Sequence, residues 1–567
     1  MRTWPEVKIN LIDVTAKSDS TPQTSDNVSF GDIALLKGDE TPDYTGLDNN
    51  EFILDGSKSI LEDAGNVLFR SATVSNTDCR FTTSPGIKIT FTKPHTSAGI
   101  EILFSGDYPE EINVTWKSAA MQKTVTYHPD DLRAFLEAGA DNYTEITLEF
   151  VKTRFPGQSV RINGIRYGLT WEIGRDIIRK ASVLEETDVT SETLPINTAT
   201  LEVVDEKNEF DLTRKSGMWK NMQKGQKAEI LEYVNGQYIN CGTFYLDTWD
   251  SESNIVKLSL VDRLGIADKT DFYQGRIYTK EKAGAILEEI LESAGIEEYS
   301  ISEEIYNVLL SGWLGIQKHR EALQQVVFAA GAVADCARSS LVRIYKPGRY
   351  AGKTIGLERK FRGAKVKLDE YISGVSVSYR QYTLSAEKEE AGTVQLIPGE
   401  NRVEFTEPYK PDTMEVSAGT IKEAKTNYIV ITATEGTECT ISGKKYTATK
   451  NVYTQKAAEE AGEAEKIQNY DGCTLISADR VKDLAESLLR YKKLRQTLQL
   501  RYICQGEAAG EWCNIANTAG RYATTGIIRQ TLDLTGGFLA SATCRGYSEV
   551  MTEEAYCGES YTGGGLI

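Results

Sequence analysis

The chain has 567 residues, 26% of them charged and 40% hydrophobic, with a net charge of −18, a globular balance in a chain too long for one core at roughly 100–200 residues per domain. No apolar run approaches the ~18 residues of a membrane-crossing helix. The start, MRTWPEVKINLIDV, lacks a secretory leader's basic end and continuous apolar stretch, so synthesis in the cytosol without export by the general route is expected.

The negative charge disfavours a grip on nucleic-acid phosphate. Nine cysteines, with no Cys-x-x-Cys pair, read as reduced and mostly buried. With only His95, His128 and His319 as imidazoles, none near a cysteine in sequence, neither a zinc site nor any cofactor is expected.

In chain order, residues 1–50 open with one strand over 7–14 and then turn polar, as an arm and linker. Residues 51–170 carry alternating segments at 87–91, 100–104, 112–116, 146–150 and 160–165 between Gly, Pro and Asp turns, which make a two-sheet sandwich the natural solution. One helical piece is expected there, over 130–138. Residues 171–275 form a first small antiparallel barrel. Residues 276–350 form an α+β unit, with a helix that Gly295 ends, a second helix near 320–330 and a strand at 341–345. Connecting strands over 351–392 lead to an inserted β module at 393–476. A helix over 479–495, capped by Ser477, then delivers the chain to a second barrel within 477–548, and residues 549–567 read as a flexible tail. The fold class is mainly β and multidomain.

Residues 225–263 contain the strongest local signal. Apolar residues alternate over 228–234, 242–249 and 255–261, and Asn235-Gly236 supplies the positive φ that a two-residue hairpin requires. Residues 510–545 have the same order of parts. Gly510-Glu511-Trp512-Cys513 stands where Gly225-Gln226-Lys227-Ala228 stands, and Gly526-Ile527-Ile528-Arg529 is matched to Gly242-Thr243-Phe244-Tyr245. The reading is two related barrels in one chain.

Two resemblances rest on particular segments. FILDGSKSIL at 52–61, SPGIKITF at 84–91, SAGIEILF at 97–104 and SVRINGIRYG at 159–168 resemble the galactose-binding-like jelly rolls of phage tail proteins and carbohydrate-binding modules. That resemblance implies ligand loops at one end of a sandwich. Trp116, Tyr108 and Tyr127, aromatic and near strand ends, are the candidate plates for a sugar ring.

SETLPINTATLEVVD, GTFYLDTW, REALQQVVFAAGA and GIIRQTLDLTGGFLASATCRGY, in that succession over roughly 170–548, resemble the baseplate or tail-tip hub of tailed phages and phage-like bacteriocins. The resemblance implies a homotrimer around the tail axis, its paired barrels adapting a sixfold tube to a threefold tip. It also implies a virion location, assembly in the host bacterial cytoplasm, and partners in the tail tube or distal tail protein, the tape-measure protein and a tip or spike protein. Host cell-wall glycan is a further partner for the jelly roll. Neither nucleic-acid binding nor a membrane segment is expected.

Catalysis is not expected. Three scattered histidines give little material for a Ser-His-Asp or Cys-His arrangement, and His-Glu-x-x-His, Gly-x-Ser-x-Gly and a phosphate-cradling Gly-rich loop do not occur in the sequence. A cell-wall hydrolase using paired carboxylates is the enzymatic alternative.

Overall fold

The computed structural model describes residues 2–24 and 69–546, with breaks at 13, 72, 120, 209, 212, 214–218, 220–221, 349–350, 458–463 and 517–521. FILDGSKSIL, the remainder of the expected arm and the expected tail with Gly563-Gly564-Gly565 lie outside the described residues.

The protein is mainly β and multidomain. Between residues 69 and 173, the long strands Gly86–Phe104 and Arg133–Thr153 pair over both their halves. One half is extended by Pro109–Lys117 and Gln122–Tyr127, and the other by Arg161–Ile173. Ile87, Ile89, Ile100, Ile102, Val114 and Leu148 fill the core between them. The helix expected at 130–138 does not form, and residues 133–138 are strand instead. Ala134 and Leu136 bury on alternate positions, and Leu136 pairs with Ile100, so the two-residue period prevails over the helical one.

The first sheet module is built from β1 (Thr3–Ile12), β2 (Ile178–Glu186), β3 (Thr198–Val204), β4 (Lys227–Val234), β5 (Gln237–Glu252) and β6 (Ile255–Val261). Its strand order is β1-β4-β5-β6-β3-β2, antiparallel throughout. The expected Asn235-Gly236 hairpin is present, with φ of 49° and 101° and with Val234 opposite Gln237. The first strand does not lead away as an arm: β1 lies between β4 and Arg161–Ile173, tying the sandwich to this module.

Helices α1 (Ala283–Ser293) and α2 (His319–Ala330) follow. Their apolar faces, Ile286, Leu287 and Ile290 on α1 and Leu323, Val326 and Val327 on α2, share one core. α2 ends at Gly331 in the left-handed region, which glycine adopts without Cβ strain. The chain then forms β7 (Ala351–Ile355) and β8 (Lys365–Leu368). The long pair Gly374–Leu384 and Tyr446–Lys456, with Ile467–Tyr470 beside it, adds Val375, Val377 and Tyr470 to the helical core.

Residues 389–443, between the two members of that long pair, have a separate core of Leu396, Ile429, Ile431, Cys439 and Ile441. Asn427 anchors this β module. Fully buried, its amide donates to the carbonyls of Gly275 (2.6 Å) and Leu314 (2.8 Å) and accepts from the Trp313 indole (2.7 Å). Arg402 lies over the rings of Tyr273 and Tyr428, 3.7 and 4.1 Å from their centroids. Asn427→Ala removes all three bonds at a buried position, an expected loss of about 2–3 kcal/mol. Limited proteolysis within 389–443 should quicken in that variant; an unchanged cleavage rate would contradict the anchoring role.

Helix α3 (Val481–Lys492) buries Val481, Leu484, Leu488 and Leu489 into the helical core and leads to the second sheet module. This comprises β9 (Gln496–Ile503), β10 (Trp512–Ala516), β11 (Tyr522–Asp533) and β12 (Leu539–Gly546), with order β7-β10-β11-β12-β9-β8. Both modules feed one apolar core, from Val7, Ile9 and Leu201 through Leu258 to Leu500, Ile527 and Leu532.

The expected barrels are open sheets in their strand order. Among the described residues neither module closes on itself by strand pairing. The edge of β2 that could return to its own sheet is occupied by β11 of the other.

Candidate functional site

The site is the junction of the two modules, and their equivalence comes first. Gly225 N donates to Leu246 O (2.7 Å) and Leu246 N to Gln226 O (2.8 Å). The same pair recurs as Gly510 N to Ile527 O (2.8 Å) and Ile527 N to Glu511 O (2.9 Å). Gly225 and Gly510 share a left-handed backbone, φ 85° and 89°, in which a side chain would be strained.

Immediately after Leu246 the β5–β6 register skips Asp247, and immediately after Ile527 the β11–β12 register skips Ile528. A bulge at the same place in both ladders bends both central strands alike. Each ladder closes with another shared bond, Asp205 N to Asn254 O in one and Cys504 N to Phe538 O in the other.

One expectation is corrected. Gly526 occupies the place of Tyr245 rather than Gly242, because Lys227 faces Tyr245 as Trp512 faces Gly526. Matching glycine to glycine misplaced the central strand, and the bulge, invisible in the residue types, sets the true phase. The modules also differ at one edge, where β1 runs antiparallel to β4 but β7 runs parallel to β10.

The junction pairs β2 with the second half of β11: Arg529 faces Glu186, Gln530 faces Glu185, Leu532 faces Val183 and Asp533 faces Ser182. Behind the ladder lies a buried polar cluster. Glu185 is 1% exposed and ion-paired to Arg338, which sits on a left-handed turn at φ 60° after the strand Val333–Asp335. The other Glu185 oxygen accepts from Gln530 Nε2 (2.6 Å) and Ala509 N (3.3 Å). Gln530 Nε2 also donates to Glu507 O (2.7 Å), as does Arg338 Nη2 (2.9 Å), and Tyr502 donates its hydroxyl to Gln530 Oε1 (2.8 Å). Glu507, also 1% exposed, is ion-paired to Arg359. Burial works against the Arg338 charge, but the Glu185 carboxylate, together with Cys241 and Cys504, outweighs it and raises the guanidinium pKa.

Arg338 thus connects the α+β unit to both modules at once, and the two buried acids, Glu185 and Glu507, each have a guanidinium partner. Such an arrangement fixes orientation more than it adds stability. No sequence motif marks it, since Glu185 and Gln530 are 345 positions apart.

Of the sugar-ring candidates, Trp116 is 0% exposed in the sandwich core, where its ring cannot meet a ligand. Tyr108 and Tyr127 are half-buried against that core, Tyr127 edge-on to Trp116 at 6.5 Å and Tyr108 beneath the Arg154 guanidinium at 4.5 Å. The structure brings Trp116 and Tyr127 together and leaves Tyr108 with Arg154.

The histidines are dispersed. His95 bonds Asp19 (2.9 Å), His128 bonds the Glu110 carbonyl (2.9 Å), and His319 lies between Thr270 (2.8 Å) and Ser293 (3.0 Å). Among the described residues no three His, Cys, Asp or Glu side chains are grouped to hold a metal ion.

No family model and no curated protein matches this chain. Solved structures similar to it include the tail protein from Neisseria meningitidis MC58, at 10% identity over 66% of this chain and 93% of that one, with a TM-score of 0.41. The 43 kDa tail protein of prophage MuSo2 from Shewanella oneidensis is similar at 10% identity, over 64% and 93% of the two chains, with a TM-score of 0.37. The prophage tail protein gp18 from Listeria monocytogenes EGD-e is similar at 9% identity, over 65% and 95%, with a TM-score of 0.35.

Proposed function

We propose that this chain is a structural protein of a phage or phage-like tail, the trimeric hub of its tip or baseplate, adapting a sixfold tube to a threefold end. The observation that carries the reading is the sheet module that recurs with the same bracing bonds and the same bulge, from Gly225 and Leu246 to Gly510 and Ile527. Two equivalent modules in each of three chains present six similar surfaces, which a single module per chain cannot do. Head-to-tail contacts that close on themselves give such a ring. The buried polar cluster then has a mechanical role, holding the two modules at one fixed angle.

In this reading the tail tube or distal tail protein, the tape-measure protein and a tip or spike protein are the neighbours. The protein's work is assembly and channel lining rather than catalysis. Light scattering across a concentration series tests it. The expected species has three times the 62.9 kDa of one chain; a monomer at every concentration would overturn the proposal.

A further inference from the structure

The internal junction uses one edge from each module, β2 of the first and the second half of β11 of the second. The equivalence of the modules identifies the two edges left over. β8 is the counterpart of β2, since β8 pairs with β9 as β2 pairs with β3. The second half of β5 is the counterpart of the second half of β11. Among the described residues neither leftover edge has a second strand beside it: β8 pairs with β9 alone, and residues 248–252 pair with β6 alone.

Exposure shows what is missing. Val183, in the internal junction, is 0% exposed, and its counterpart Val366 on β8 is 68% exposed with Leu368 at 62%. An edge strand bearing uncovered apolar residues is a place for another strand to add.

We infer that β8 of one chain pairs antiparallel with residues 248–252 of the next copy of this chain, in the register of the internal junction. That register follows residue by residue. Val366 holds the place of Val183 and Ser251 that of Leu532, so Val366 faces Ser251, Leu368 faces Trp249, Lys367 faces Asp250 and Lys365 faces Glu252.

Charge complementarity supports this pairing. Both lysines meet acids, and in the internal junction Glu186 likewise faces Arg529. On the opposite face the half-buried Trp249, already packed on the shared core, covers Leu368. In the isolated chain Lys367 is paired with its neighbour Asp369, at 3.2 Å. A register shifted by one residue would set the lysines against Ser251 and Trp249 and put the apolar pair on the solvent face.

The contact is heterologous, each chain offering β8 on one side and β5 on the other, so it generates a ring rather than a simple dimer. It rests on the trimeric reading and gives that reading its interface.

The test compares full-length variants by sedimentation velocity over a concentration series. Asp250→Lys with Glu252→Lys is expected to raise the concentration for half-assembly about tenfold or more, with the folded chain retained by far-ultraviolet circular dichroism, because both positions are exposed. Adding Lys365→Glu and Lys367→Glu in the same chain restores every junction with reversed signs and returns assembly to the wild-type range. If the wild type assembles but the double reversal does not weaken it, or the fourfold variant does not recover, the interface is wrong while the trimer stands. A wild type that never assembles removes both.

Discussion

Replacing Arg338 with methionine is expected to cost about 3–5 kcal/mol of stability, because it leaves a buried carboxylate without its counter-charge. Glu185 is 1% exposed, and Gln530 and Ala509 supply its other contacts. These neutral donors cannot replace a guanidinium that also donates to Glu507 O and lies over the Phe538 ring at 5.9 Å. Lysine is no substitute, since a single ammonium cannot reproduce the planar fork.

Chemical denaturation is the direct measurement, and a second variant separates lost charge from lost packing. In the Arg338→Met background, Glu185→Gln should recover at least about 1 kcal/mol, because it removes the uncompensated charge and keeps the shape. Strictly additive losses would show that the pair does not act as a unit.

The second large effect depends on pH. Glu232 is fully buried on β4, on the face that carries Ala228 and Ile230. Burial pushes its carboxyl up to about 8 from an ordinary value of 4.5, with repulsion from Asp533 adding and the Thr3 hydroxyl opposing.

A folded-state value above the unfolded one means that the folded chain holds a proton which the unfolded chain releases. The cost is absent below pH 4.5, grows as pH rises towards 8 and is level beyond it. Glu232→Gln keeps the size and removes the ionisation. The variant should match the wild type near pH 4.5 and exceed it by about 2–4 kcal/mol at pH 8, since a tenfold change in proton affinity corresponds to about 1.4 kcal/mol and relaxation absorbs part. A constant difference across that range would contradict the assignment.

The sequence showed the parts of this fold better than their joints. Asn235-Gly236 marks its hairpin because few residue pairs supply two positive φ values in succession. The three longer helices show their buried faces through spacing, as in Ile286, Leu287 and Ile290 on α1. The repeat was legible at Gly225 and Gly510, where backbone geometry demands glycine. It was lost at Gly526, where the phase depends on a bulge that many residue types tolerate.

Residues 130–138 misled because Leu132, Leu136 and the alanines near them permit either period, and pairing with Gly86–Phe104 decides between them. The polar cluster was illegible in principle: Glu185, Arg338, Glu507 and Gln530 look like surface residues until the fold brings them together. Trp116 was misjudged because an aromatic near a strand end reads alike in a core and at a ligand loop.

The proposed function depends on a duplicated sheet whose copies would alternate around a common axis. A cryo-electron microscopy reconstruction of the purified assembly, calculated without imposed symmetry, tests it most directly. The account predicts three chains in a ring, with the strands around Leu246 and Ile527 alternating as six nearly equivalent wall segments around a channel. Modules that face different directions, or chains related by a twofold axis, would contradict it.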